Sequence, residues 1–189
     1  MVQLLSECTF VVVDVETTGF SPRTSAITEI AMIKVKEGKL IDEFASLVNP
    51  EMPIPYSITE LTGIDDEMVY GAPTVQEIAP SISEFLSDGI FTAHNASFDL
   101  GFVNETLRRG NISVMDNRVV CTCKLARKLL PHLQSKSLEP VAKALGIRTK
   151  NLHRASADAF ITAHVLIHFM NHLQSKFAVQ TLEELMKFQ

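Results

Sequence analysis

The hydrophobic pattern opens on an unbroken run. Thr9-Phe-Val-Val-Val-Asp-Val-Glu-Thr-Thr-Gly19 begins with β-branched and aromatic residues, as a strand buried on both faces would. A looser alternation through Ile27, Ile30, Met32, Ile33 and Val35 predicts a second strand over Ala26 to Val35. Glu37-Gly38-Lys39 is a hairpin signal, and Leu40 to Val48 reads as a third strand. Three strands joined by short connections make an antiparallel meander. Asn49-Pro50 and Met52-Pro-Ile-Pro55 end it. The pattern then turns helical.

One or two turns fit Ser57 to Gly63, and Thr74 with Glu77 three residues on predicts a capped helix running to Leu86 or Ser87. Ile90 to Ala93 is a short apolar strand, followed by a helix that Asn95 can cap and that runs to about Arg109. Val119 to Cys121 is another short strand. Helices are predicted over Lys124 to Leu130 and Leu138 to Leu145, and a long one from Ala155 to about Leu173. Meander strands followed by alternating helices and strands predict a mixed α/β sheet covered by helices. Residues 1–175 form one domain on this reading, with 176–189 a short C-terminal tail, helical in character. The tail either packs back on the domain or docks on a partner such as a sliding clamp or polymerase.

The chemistry begins where the first strand ends. Asp14 and Glu16 are two apart, so they point to one face, roughly 7 Å apart at the backbone. Two acids side by side at the end of a core strand repel each other and lose solvation. A hard divalent cation is the simplest compensation; two solvated surface acids are the alternative. Thr17, Thr18 and Gly19 offer a turn with free N–H groups and hydroxyls beside them, suited to a phosphate or sugar. Asp99 falls in the first turn of a helix just beyond a strand end. Asp158 shares a helical stripe with Ala155, Ala159, Thr162, Leu166, Phe169 and Leu173, so it faces the core. An unpaired carboxylate is disfavoured there.

Composition and charge adjust this picture. At 189 residues with 46% hydrophobic content the chain fits one domain with a sizeable core. No stretch approaches a membrane span, and the first residues lack a signal peptide's basic and apolar regions. Three cysteines fit free thiols better than a disulfide framework, with Cys121 and Cys123 sharing a face of a strand end. A cytoplasmic location is expected. Net charge is −5, yet Arg108 to Arg154 holds eleven basic residues against Asp116 and Glu139, a balance of +9 that leaves −14 elsewhere. Such asymmetry suits a polyanion docking on one side, or merely a solvated basic face. His164, His168 and His172 stand four apart but away from Asp158 and without an obvious further ligand, so a solvated face is expected.

Val-Asp14-Val-Glu16-Thr-Thr-Gly, Ala-His94-Asn-Ala-Ser-Phe-Asp99 and His153-x-x-x-x-Asp158 resemble, in order, the three motifs of the DEDD exonucleases. The match is to the branch with a histidine in its third motif, to which the proofreading epsilon subunit of bacterial DNA polymerase III belongs. Val48-Asn-Pro50, Ile58 to Ile64 and Leu138 to Gly146 resemble it too, so the likeness spans about Thr9 to Leu173. It implies a ribonuclease-H-like fold with a five-stranded mixed β-sheet flanked by α-helices. Asp14, Glu16, Asp99 and Asp158 would gather two divalent cations, Mg²⁺ or Mn²⁺, and His153 would act as general base. Thr17, Thr18, Leu61, His94, Asn95 and Phe98 would hold the terminal nucleotide. The implied reaction is 3′-to-5′ release of nucleoside 5′-monophosphates from single-stranded DNA, as a separate polymerase's proofreading part. Two alternatives stand beside it: trimming of RNA 3′ ends, and a binding subunit that attaches to a polymerase or clamp.

Overall fold

The computed structural model describes residues 3–149 and 152–189. Its centre is a five-stranded sheet of β1 (Thr9–Thr17), β2 (Ile27–Lys36), β3 (Lys39–Leu47), β4 (Ile90–Ala93) and β5 (Val119–Cys121). Spatial order is β3-β2-β1-β4-β5. The meander forms as expected, with β2 antiparallel to both β1 and β3, while β4 and β5 run parallel to β1. The sheet is therefore mixed, and the carboxyl ends of β1, β4 and β5 share one edge. In parallel sheets that edge is where ligands bind.

Around it, among the described residues, lie α1 (Tyr56–Thr62), α2 (Asp66–Val69), α3 (Val75–Leu86), α4 (Ala96–Arg109), α5 (Thr122–Leu129), α6 (Leu138–Ala144), α7 (Ala155–Phe177) and α8 (Leu182–Lys187). Gly63 ends α1 at φ 72°, a left-handed conformation that costs glycine little. The expected capping box of Thr74 and Glu77 opens α3. The four-residue α2 is too short to leave a periodic signature in the sequence.

Strand alternation decides which helices the acids meet. Val11, Val13 and Val15 point into a core shared with α3 and α4. Phe10 and Val12 point to the other face, with Ala159, Val165, Leu166 and Phe169 of α7. Asp14 and Glu16 continue that second series, so the pleat aims both at α7. On β2, Ala31, Ile33 and Val35 share this face, and the same alternation places Glu29 there. Helix α7 is held by Ile161, Val165, Leu166, Phe169 and Leu173, each at most 3% exposed, with burial of such side chains contributing about 1.5–3 kcal/mol apiece. That packing fixes the height at which Asp158 meets the sheet.

The C-terminal segment packs back on the domain. Leu182 and Leu185 are fully buried, Leu182 N–H donates to Gln3 O and Leu5 N–H to Gln180 O. The Gln189 side chain pairs with the open edge of β5, accepting from Cys121 N–H and donating to Val119 O, each at 2.8 Å.

Two local expectations fail. Helix α5 starts at Thr122, two residues earlier than predicted, so Cys121 ends a strand and Cys123 lies in a helix. Strand alternation no longer relates them; all three cysteines are free. Asn95 occupies the residue before α4 but in a left-handed conformation (φ 75°), with no side-chain cap bond. It turns the chain rather than capping the helix.

Candidate active site

Three acids converge where the pleat and α7 bring them. Carboxylate oxygens of Asp14, Glu16 and Asp158 lie within 4.8 Å of one another. Asp99 is outside that trio but close by, buried at 4% exposure in the first turn of α4. The β1–β4 ladder stops at Val12, leaving the last part of β1 to face the start of α4, and Val15 N–H supports the Asp99 carboxylate.

Burial dominates the electrostatics. It pushes Asp14 well above the ordinary carboxylate range, and Asp99, Asp158 and Glu16 push it further. Glu16 is raised to about 7 by burial, then by Asp158 and Glu29, against the pull of Arg154. Asp99 rises to about 8, chiefly by burial, although backbone N–H groups oppose the shift. Asp158 is raised by burial and partly restored by the His153 N–H, which donates to its Oδ2 at 3.2 Å. Its other oxygen, Oδ1, is buried with no partner among the described residues. A side chain with a buried orphan carboxylate oxygen, grouped with two more carboxylates, is a donor set for a hard divalent cation. The residues fit such an ion.

The sign of the linkage follows. In the metal-free chain these acids stay protonated when folded at pH values where they ionise when unfolded. Their contribution to stability is therefore full below about pH 4 and lost as pH rises through about 7 to 8. The melting temperature of the metal-free chain is expected to fall between about pH 6 and about pH 8.5. Adding Mn²⁺ should raise it more at the higher pH, because the cation displaces those protons. Differential scanning fluorimetry with and without EDTA measures both; an equal increment at the two pH values contradicts a metal bound by these acids.

The other expected residues divide. Thr17 Oγ1 donates to Gly19 O at 2.7 Å. Thr18 Oγ1 accepts from Ala26 N–H and donates to Met52 Sδ, and its own N–H donates to Ala26 O. The turn thus spends internally both hydroxyl protons and the Thr18 N–H. His94 is likewise tied at both nitrogens, Nε2 donating to Lys136 O at 2.7 Å and Nδ1 meeting Thr122 Oγ1 at 2.9 Å. Burial lowers its pKa. Asn95 and Leu61 are exposed, and Phe98 is half-buried against Phe102. His153 is exposed at φ 65°, a backbone conformation that costs a non-glycine residue about 1–3 kcal/mol and gathers at functional sites. His164 is half-buried beside Phe160, and His168 and His172 are exposed; they join no acid cluster among the described residues.

Sequence reasoning passes over two features. Phe20, just beyond the Thr17–Gly19 turn, is 84% exposed. Glu29 is buried on the Asp14 face and bound to Arg154. An aromatic in a polar turn and a lone acid inside an apolar strand are the available signals.

The sequence profile of the exonuclease family (RNase_T) matches residues 11–166. The chain belongs to that family. This exonuclease is 37% identical over 175 residues to DNA polymerase III subunit epsilon of Aquifex aeolicus, covering 93% of this chain and 87% of that one. It is 45% identical over 157 residues to the PolC-type DNA polymerase III of Clostridium perfringens, covering 83% of this chain. The chain spans only about a tenth of that polymerase, 11% of its length. Among solved structures, exonuclease X in complex with 5′-overhanging duplex DNA aligns with TM-score 0.70 and 31% identity, over 86% of this chain and 91% of that one. Escherichia coli exonuclease I in complex with a dT13 oligonucleotide shares the fold, with TM-score 0.80 at 20% identity, over 90% of this chain and 43% of that one. This member of the exonuclease family thus carries an acidic cluster compatible with divalent metal binding.

Proposed function

We propose that this exonuclease removes nucleotides from the 3′ ends of single-stranded DNA as nucleoside 5′-monophosphates, in the service of a separate polymerase. The observation that carries the reading is the meeting of Asp14, Glu16 and Asp158, with Asp158 Oδ1 buried and unpartnered among the described residues, in a chain of this family. Asp14, Glu16, Asp99 and Asp158 hold two divalent cations, Mg²⁺ or Mn²⁺. Such ions, when bound, stabilise charge on both the attacking and leaving oxygens of an in-line phosphoryl displacement. His153, exposed and fixed at the mouth of the cluster, takes the proton of the attacking water.

Leu61 and Phe98, joined by Phe20, offer the terminal nucleotide apolar and aromatic surface that stacks without reading base identity, and Asn95 offers it an exposed amide. Thr17, Thr18 and His94 shape the wall behind it, since their polar atoms are spent on the chain. Kinship to an epsilon subunit and a PolC-type polymerase supports proofreading, and the free cysteines agree with a cytoplasmic setting.

Much of the basic span is neutralised locally. Arg108 and Arg109 pair with Glu105, Arg118 with Glu183, Lys143 with Glu139 and Arg154 with Glu29. Lys150 lies outside the described residues. Lys124, Arg127 and Lys128 are exposed on α5 and make no ion pair among the described residues. With Arg148, also exposed and in no ion pair among the described residues, and Lys136, whose ammonium donates to Leu133 O, they are the charges left to attract a strand.

Matched single-stranded DNA and RNA oligomers incubated with Mg²⁺ or Mn²⁺, with product size followed in time, test the reading. Stepwise shortening of DNA from the 3′ end is expected, with RNA degraded more slowly. Faster loss of RNA would make the chain an exoribonuclease. Replacing Lys124, Arg127 and Lys128 together should flatten the log–log salt dependence of DNA binding, by roughly 0.7 for each phosphate that the protein no longer neutralises.

A further inference from the structure

Helix α7 begins without a cap of its own. Arg154, the residue before it, is extended and contributes no side-chain cap bond. The cap comes from β2 instead: Glu29 Oε2 accepts from Ala155 N–H at 2.8 Å. The same carboxylate receives the Arg154 guanidinium side-on, Nε to Oε2 at 3.1 Å and Nη2 to Oε1 at 2.7 Å. With three charge-assisted bonds and 6% exposure, Glu29 has its oxygens occupied and stays apart from the metal-binding trio. It stands opposite Glu16 across the β1–β2 pair. Like charges so placed repel, and the guanidinium between sheet and helix offsets that.

Next to this clasp is the left-handed His153, whose only other backbone tie among the described residues is its N–H to Asp158. One side of His153 is held by the cluster acid, the other by Arg154 and Ala155 on Glu29. We propose that Glu29 and Arg154 are positioning residues that hold His153 at the cluster in its strained backbone conformation. Neither touches the substrate. They act through His153, so the inference rests on that residue's role as base. Arginine is needed for its fork: a lysine keeps the charge but makes one bond where guanidinium makes two.

A double-mutant cycle on the full chain tests this, read as single-turnover cleavage of a single-stranded DNA oligomer with saturating Mn²⁺. Arg154→Lys should lower the rate by on the order of 10- to 10²-fold, as small misplacements of a reacting group do, and leave oligomer affinity unchanged. In a His153→Ala background the same change should lower it by less than about threefold, because coupled residues fail to add. Glu29→Gln, nearly isosteric, should show the same pattern. Equal losses in both backgrounds would mean the clasp serves folding or the acids generally, and overturn the proposal, as would no loss in either. If His153→Ala alone keeps its rate, the base assignment itself fails, and the single-mutant arm shows that separately.

Discussion

Asp14→Ala and Asp158→Ala are each expected to abolish nucleotide release, by at least about 10³-fold, while the chain stays folded. Asp14 sits on the α7-facing side of β1 with burial first and neighbouring acids second raising its pKa, and Asp158 offers a buried oxygen with no partner among the described residues. In the metal-free chain each is a liability at neutral pH and above, carrying burial and repulsion that a cation relieves, as does protonation at lower pH. Their removal should thus leave the metal-free melting temperature unchanged or higher, and erase the increment that Mn²⁺ gives the parent. Loss of activity with preserved stability and loss of the metal response is the expected triple result. Wild-type-like turnover in either variant, or full activity of the parent in excess EDTA, would sink the metal-ion reading.

The acids are legible in the sequence because their placement is a local matter. An apolar run ending in Asp14 and Glu16 fixes both on one face by pleat alone, and the strand–turn–helix around Asp99 puts it at the same edge. Asp158 is legible from the helical wheel, since its stripe is the one that buries Leu166 and Phe169. What stays hidden depends on meetings between distant segments. Glu29 and Arg154 are 125 residues apart, and nothing in either neighbourhood names the other. The ring nitrogens of His94 read as free until Thr122 and the loop carrying Lys136 meet them. Thr18 reads as free until Ala26 and Met52 reach it. Asn95 misleads because helix caps and left-handed turns draw on the same residue type.

His153→Ala is expected to lower the chemical step by about 10²–10⁴-fold, the usual worth of a positioned proton acceptor. The geometry places the residue just before α7, exposed, with its backbone bonded to Asp158 and its neighbour Arg154 clasped by Glu29. Its side chain is thus free to meet a water at the cluster while its Cα stays fixed. A general base acts only while unprotonated, so the parent's rate should fall on the acidic side. The alanine variant should lose that acidic limb and bind Mn²⁺ and DNA as the parent does, since alanine at 153 still supplies the N–H to Asp158. Single-turnover cleavage at saturating enzyme and Mn²⁺ concentrations that saturate the acids at every pH, from about pH 5.5 to about pH 9, reads both effects. A variant that keeps its rate and its acidic limb would assign the proton transfer to another group. One that loses Mn²⁺ affinity along with rate would mean the residue serves the metal site. The structure favours lost rate with retained Mn²⁺ binding, because the imidazole is exposed and the backbone N–H, not the ring, touches Asp158.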